Sequence, residues 1–250
     1  MDDGYHSASE LQFEAEFIDY LQHLGSVKQW SYEPDIKTTD QLWANFADIL
    51  FQLNQDKLDR PLSAAEFGQV KKEISVLTTP YQAGQFLYGL NGRSQVEVDT
   101  DDGRHVFLTV FDQRQVGAGN THYQIVNQIM RPAKITGKRN RVFDTTLLIN
   151  GLPIIQIEEK RDTNDVDQAL EQMHQYIAEN QYSDIFSTVQ ILVALSPIDV
   201  RYMANTTSDL FNKALPSSGK PRLMSASRTG GSSLTCSSPF RWPTRWPPTI

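Results

Sequence analysis

Apolar positions along the chain alternate between two periods, one near 3.6 and one near 2. Phe13, Phe17, Ile18, Tyr20 and Leu21 fall on one face of a helix. Ser9 is placed to cap its start, and it stops near Gly25. Leu42, Phe46, Ile49, Leu50 and Leu53 predict a second helix over Thr39–Leu53, and a shorter one fits Ser63–Val76. Val96 and Val98 then alternate with polar residues, Asp102-Gly103 turns, and Val106–Phe111 returns, which predicts a hairpin. His122–Met130 reads as a strand, and Phe143–Asp162 supplies two more around Asn150-Gly151. Val166, Leu170, Met173 and Ile177 recur at helical spacing within Thr163–Asn180, and Gln190–Ser196 is a buried strand. Strands before and after a helix in one unit imply an α/β mixed sheet with helices packed on it.

That pattern fades near Lys213. No acid follows Asp209, whereas Lys220, Arg222, Arg228, Arg241 and Arg245 do, and six of the twelve prolines lie there. Residues 1–213 are therefore expected to be one compact unit, and 214–250 a disordered or aberrant tail. Two readings of the tail stay open: a natural basic linker, or an out-of-frame or truncated end.

The 250 residues carry a net charge of −7, 39% hydrophobic residues and one cysteine, Cys236. An internal disulfide and a cysteine-built metal site are excluded. The charge argues against broad coating of nucleic acid but not against a local basic groove or an acidic metal site. No apolar run is long enough to span a membrane, and no signal segment opens the chain, so a cytoplasmic, membrane-free location is expected.

One strand ends on charges instead of in the core. Alternation puts Glu158 and Lys160 on one face with Ile154 and Gln156, and Glu159 on the other with Ile155 and Ile157. A two-residue Asn150-Gly151 loop pairs Ile149 with Leu152 and sets Asp144 against Ile157, on the wrong face. A three-residue loop, Asn150-Gly151-Leu152, sets Asp144 against Glu158. The expectation is an odd loop or a bulge.

Two carboxylates and an ammonium at one sheet end suit Mg²⁺, which takes one or two carboxylates, keeps waters and neutralises a phosphodiester. Asp144, then Glu158, then Lys160 is the PD-(D/E)xK nuclease order, with Phe143 where proline often stands. On spacing alone the pattern is weak, and a solvated strand end in a surface salt bridge is the better explanation. Gln172 and Tyr176 lie at i and i+4 on the next helix, where a polar flank of an amphipathic helix is the bland reading.

Taken together, the Asp144 strand, Asn150-Gly151-Leu152-Pro153, Ile157-Glu158-Glu159-Lys160 and Gln172-x-x-x-Tyr176 resemble one family. It is the N-terminal nuclease domain of the restriction (R, motor) subunit of type I restriction-modification enzymes. The N-terminal helix and the YQIVNQI strand match too, over roughly residues 5–210. The resemblance implies a restriction-endonuclease-like fold, a mixed β-sheet flanked by helices, and Mg²⁺-dependent cleavage of DNA. Asp144 and Glu158 would be metal ligands, Lys160 the catalytic lysine, and Gln172 and Tyr176 neighbours that position DNA or the catalytic groups. Glu14 stands where such domains often add an acid to the metal site. Glu159 replaces a leucine common in the family, and it is expected to weaken packing without carrying chemistry. Double-stranded DNA and the methyltransferase and specificity subunits would be partners.

Arg131, Lys134, Lys138, Arg139 and Arg141 precede the catalytic strand, either as a phosphate-binding loop or as a solvated loop balancing acids. The five histidines show no zinc-ligand spacing, and His174 is expected in solvent. No G-x-x-x-x-G-K-[ST] loop occurs, so ATP would act only through motor domains missing from this chain. The rival to an active nuclease is a dormant remnant that only binds DNA or partner subunits; a third reading is another Mg²⁺ nuclease of the same fold.

Overall fold

A computed structural model describes residues 8–24, 29–116, 119–160, 166–214 and 216–219. The chain opens with α1 (Ala8–Gln22), β1 (Trp30–Tyr32), α2 (Thr39–Leu53), α3 (Ala64–Ser75) and α4 (Pro80–Tyr88). A hairpin follows, β2 (Arg93–Asp99) and β3 (His105–Asp112). Then come β4 (Tyr123–Arg131), β5 (Arg141–Ile149), β6 (Leu152–Glu159) and α5 (Val166–Ala178). A 3-10 helix (Asp184–Thr188), β7 (Ile191–Leu195), β8 (Val200–Ala204) and β9 (Ser217–Gly219) complete the fold. Expected helix ends at Ser9, Gly25 and Thr163 fall on side chains or residues outside those described.

The seven-stranded sheet has the order β1-β4-β5-β6-β7-β8-β9. Pairs β1–β4 and β6–β7 are parallel and the others antiparallel, a mixed sheet compatible with a restriction-endonuclease-like fold. The β2–β3 hairpin stands as its own two-stranded sheet. Ser217–Gly219, inside the tail as read from composition, pairs with β8 at the sheet edge.

Helix starts follow local chemistry. Thr38 with Gln41, Ser63 with Glu66, and Thr79 with Gln82 form reciprocal capping boxes at α2, α3 and α4. α1 covers one sheet face, where Phe13, Phe17, Ile18 and Leu21 meet Ile125, Leu147, Ile157 and Leu195. The opposite face packs against α2, α3 and α5 in a larger core that includes Phe46, Phe143, Leu148, Tyr176 and Phe186. β6 passes through α5 to its parallel neighbour β7, so α5 lies over the face that carries Glu158.

Of the two expected routes, an odd loop or a bulge, the β5–β6 connection takes the bulge. The loop has two residues: Ile149 pairs with Leu152. Asn150 (φ 52°) and Gly151 (φ 80°) both take the left-handed conformation that suits such a turn. A Cβ on Gly151 would lie 2.9 Å from the Phe46 backbone, so the position is closed to a side chain as well as strained for one. The register then shifts at a bulge, with Leu148 opposite Pro153 but Leu147 opposite Ile155. The extra residue, Ile154, absorbs the parity change that a three-residue loop would have made. Beyond it Thr145 faces Ile157, and one further step in that register sets Asp144 against Glu158.

Candidate active site

The end of β6 is held on both sides. The Lys160 amide donates to the Leu195 carbonyl of β7 at 2.8 Å, and the Glu159 amide donates to Asp144 Oδ2 at 2.8 Å. A side chain of β5 thus closes the backbone ladder where β6 leaves the sheet. The Asp144 and Glu158 carboxyls lie close enough to act on each other, and both are buried, at 2% and 0% exposure. Gln156, two residues before Glu158 on the same face, takes the Thr146 hydroxyl at 2.7 Å and offers its amide to Glu158 Oε1 at 3.4 Å. Glu158 Oε2 has no hydrogen-bond partner.

Desolvation is the main force on this pair. Burial pushes Glu158 well above the ordinary carboxylate range, the Asp144 charge pushes it further, and Lys160 pulls the other way. Lys160 is itself buried, so its ammonium acts on Glu158 through a medium of low dielectric. Two adjacent carboxyls, one with an uncommitted oxygen, make a hard oxygen donor set of the kind that suits a small divalent cation. Among the described residues no three His, Cys, Asp or Glu side chains gather in a metal-holding arrangement.

α5 brings its polar pair onto the same face. The Gln172 amide donates to the Tyr176 hydroxyl, which donates to the Val142 carbonyl at 3.2 Å. The Tyr176 ring packs 4.9 Å from Phe143, the residue preceding Asp144. Burial first, then the charges of Glu158 and Asp144, raise the Tyr176 hydroxyl well above its usual range.

Glu14 is placed elsewhere. It sits on α1, on the sheet face opposite Glu158, and accepts the Gln128 amide at 3.0 and 3.1 Å. Its charge acts on Glu159, which shares that face. Glu14 also lines a 270 Å³ cavity with Tyr32, Asn127 and Gln128. Glu159 is 3% exposed with both oxygens unbonded, and burial, then Asp144, raises its pKa far above the ordinary range.

The basic run does not act as a unit. Arg131 is fully buried, so the expectation of a phosphate contact is corrected there. Its guanidinium donates to the Thr39 hydroxyl at 2.9 Å and to the carbonyls of Gln181 and Ser183 at 2.7 and 3.0 Å, and it lies 4.6 Å over the Phe186 ring. Burial lowers its pKa to about 10. Lys134 pairs with Asp184, and Lys138 and Arg141 with Glu179. Those acids follow α5, and no sequence period links them to the loop. His174 is half-buried instead of exposed, its ring stacked 4.7 Å from Phe211.

Sequence reasoning also missed Tyr182. Its ring lies 5.4 Å from Phe143 and 6.4 Å from Tyr176, and its hydroxyl is buried without a partner. It follows the end of α5, where helical spacing no longer marks a face.

No helix among the described residues is long and apolar enough to cross a membrane. A family model described as "Type I restriction enzyme R protein N terminus" matches residues 7–210. A type I restriction enzyme endonuclease subunit of Staphylococcus saprophyticus is 30% identical over 203 residues, 80% of this chain and 20% of the relative. One from Staphylococcus aureus is 29% identical over 204 residues, 81% of the chain and 20% of the relative. An Escherichia coli endonuclease subunit is 31% identical over 109 residues, 43% of the chain and 33% of that relative. The chain spans about one fifth of the length of the staphylococcal relatives.

Proposed function

The chain belongs to the type I restriction enzyme R protein N-terminus family, and we propose that it is a Mg²⁺-dependent nuclease domain that hydrolyses DNA phosphodiesters. The observation that carries this reading is the Asp144–Glu158 pair, joined across β5 and β6 with Lys160 beside it and Gln172–Tyr176 on the same face. Asp144 and Glu158 would hold the cation, for which Glu158 Oε2 is already uncommitted. When bound, Mg²⁺ would lower the pKa of a coordinated water and offset charge on the phosphodiester.

The protein groups have separate tasks. Lys160 orients the attacking water or stabilises the developing charge at phosphorus. Gln156 fixes the Glu158 rotamer, and the Glu159 amide fixes Asp144. Gln172 and Tyr176 brace Phe143 and the strand that bears Asp144. Cutting double-stranded DNA at sites chosen by a specificity subunit, beside a methyltransferase subunit and an ATP-driven motor in the cytoplasm, is the proposed setting.

A second reading has an observation of its own: Asp144, Glu158 and Lys160 are nearly closed to solvent. A site so covered would stay dormant until DNA or the rest of a larger assembly opens it. Supercoiled-plasmid nicking separates the two. An active domain nicks only with Mg²⁺ and stops on Asp144→Ala or Lys160→Ala. Calorimetric Mg²⁺ binding without nicking selects the dormant state. Loss of Mg²⁺ binding altogether would sink both metal-based readings.

A further inference from the structure

Ile125 and Ile129 are four positions apart on β4, and regular alternation would put both on one face of the sheet. They lie on opposite faces. Ile125, paired with Leu147 of β5, belongs to the cluster under α1. Ile129, paired with Phe143, belongs to the core under α2, α3 and α5. Both strands therefore change faces between these two pairs.

The reversal has a backbone cause. Gln128 takes φ 54°, a left-handed conformation, in the interior of β4. A residue with a side chain adopts it only at a cost in strain. Asn127 pairs with Thr145 and Ile129 with Phe143, so Gln128 stands across the ladder from Asp144. The turned backbone sends the Gln128 side chain to the α1 side, directly after Asn127, and both line one cavity with Glu14. There Asn127 takes the Tyr32 hydroxyl at 3.0 Å and the Lys37 ammonium, while the Gln128 amide holds Glu14.

On β5 the consequence falls on Phe143 and Asp144. Thr145 stands opposite Ile157 of the α1 cluster, so regular alternation would send Phe143 to that side too, away from Tyr176. The reversal instead packs Phe143 on Tyr176. The printed β5–β6 pairing ends at Thr145 and Ile157, and past it the Asp144 side chain takes the Glu159 amide at 2.8 Å. Strand amides point along the sheet, so that bond holds the carboxylate level with β6 instead of out on a face.

We propose that Gln128 is a positioning residue of the metal site: its left-handed backbone reverses the pleat at the rung it shares with Asp144, and so holds the Asp144 carboxylate at the end of β6. The proposal rests on the metal-site reading given above. The backbone angle sets Asp144; the Gln128 side chain holds only Glu14.

Glycine keeps a left-handed backbone without strain, and a β-branched residue resists it. Gln128→Gly and Gln128→Val both lose the amide that holds Glu14, so the difference between them reads the backbone. Mg²⁺ titration by calorimetry on the full chain is expected to show about tenfold weaker binding in Gln128→Val than in Gln128→Gly. In plasmid nicking the Mg²⁺ concentration for half-maximal rate rises by the same factor, a shift that a loss of general stability does not give. Equal Mg²⁺ affinity in the two variants, with binding abolished in Asp144→Ala, overturns the role of Gln128 and leaves the metal site standing, whatever the melting temperatures. Wild type that takes up no Mg²⁺ overturns the metal-site reading and this proposal with it. Should Gln128→Val not fold, Gln128→Asn and Gln128→Ala repeat the comparison, because Asn tolerates the left-handed region better than Ala. Weaker Mg²⁺ binding in Gln128→Ala then supports the role, and equal binding overturns it.

Discussion

The Asp144 carboxylate at the end of β5 takes the Glu159 amide of β6 at 2.8 Å and acts on the neighbouring Glu158 carboxyl. Burial and the Asp144 charge favour a proton on Glu158, against the pull of the Lys160 ammonium. A divalent cation would replace that proton and release it to solvent. The approach of the two acids depends on the single extra residue at Ile154, beyond which Thr145 stands opposite Ile157.

Asp144→Ala is therefore expected to abolish Mg²⁺ binding in calorimetry and to cut Mg²⁺-dependent nicking by about a thousandfold or more. Lys160→Ala is expected to cut nicking by at least about a hundredfold and to leave Mg²⁺ binding in place. Equal loss of binding in both variants would assign Lys160 to site assembly and not to the reaction.

Arg131 tests the opposite kind of prediction. Arg131→Met keeps an unbranched apolar stem and removes every hydrogen bond to Thr39, Gln181 and Ser183. The buried Gln181 carbonyl loses its donor while the Ser183 carbonyl keeps the Phe186 amide, so a loss of about 1–3 kcal/mol of unfolding free energy is expected in urea titration. DNA retention by the folded fraction should not change, because the residue is fully buried. A large drop in DNA affinity with unchanged stability would return Arg131 to the phosphate-binding role.

What the sequence made legible was the part written in side-chain period. α2 spans Thr39–Leu53 as its apolar face predicts, and the strand faces of Glu158 and Glu159 follow from alternation. β1 and β9 are three residues long, too short for any period to show. α4 was missed although Thr79, Pro80 and Gln82 mark its start, because only Ala83 and Leu87 are buried on its face. The bulge at Ile154 has no local signature; it follows from requiring Asp144 and Glu158 on one face. Arg131 and Tyr182 were beyond reach for another reason. Their roles depend on carbonyls and rings some fifty and forty residues away, which spacing along the chain does not encode.

Glu66 offers a pH test remote from the candidate site. Its carboxylate takes the Arg60 guanidinium and the amides of Ser63 and Asp101, and it is 1% exposed. The Arg60 hydrogen bond is the main cause that holds its pKa down to about 2, from an ordinary 4.5. A depressed folded pKa means that the unfolded chain binds the proton first. The stabilisation is then fully present above about pH 4.5 and is lost as pH falls through about 2. Glu66→Gln should be less stable than wild type at pH 6, with the gap closing toward pH 2 in urea midpoints. A gap that is constant across this range would remove Glu66 from the acid transition.

Glu159 gives a substitution expected to strengthen the protein. Its carboxyl is buried on the α1 face with both oxygens unbonded, next to Glu14 and against a cluster of Phe13, Phe17, Ile157 and Leu195. A carboxyl in that position folds only in its protonated form near neutrality, and even then leaves polar atoms dry. Glu159→Leu removes that cost and extends the apolar cluster. A gain of about 1–3 kcal/mol is expected in urea unfolding at pH 7, and a smaller gain at pH 4, where the unfolded chain already carries the proton and ionisation no longer opposes folding. The backbone amide that holds Asp144 is retained, so Mg²⁺ affinity should be unchanged. Lower stability in Glu159→Leu, together with weaker Mg²⁺ binding, would instead give the Glu159 carboxyl a part in the site.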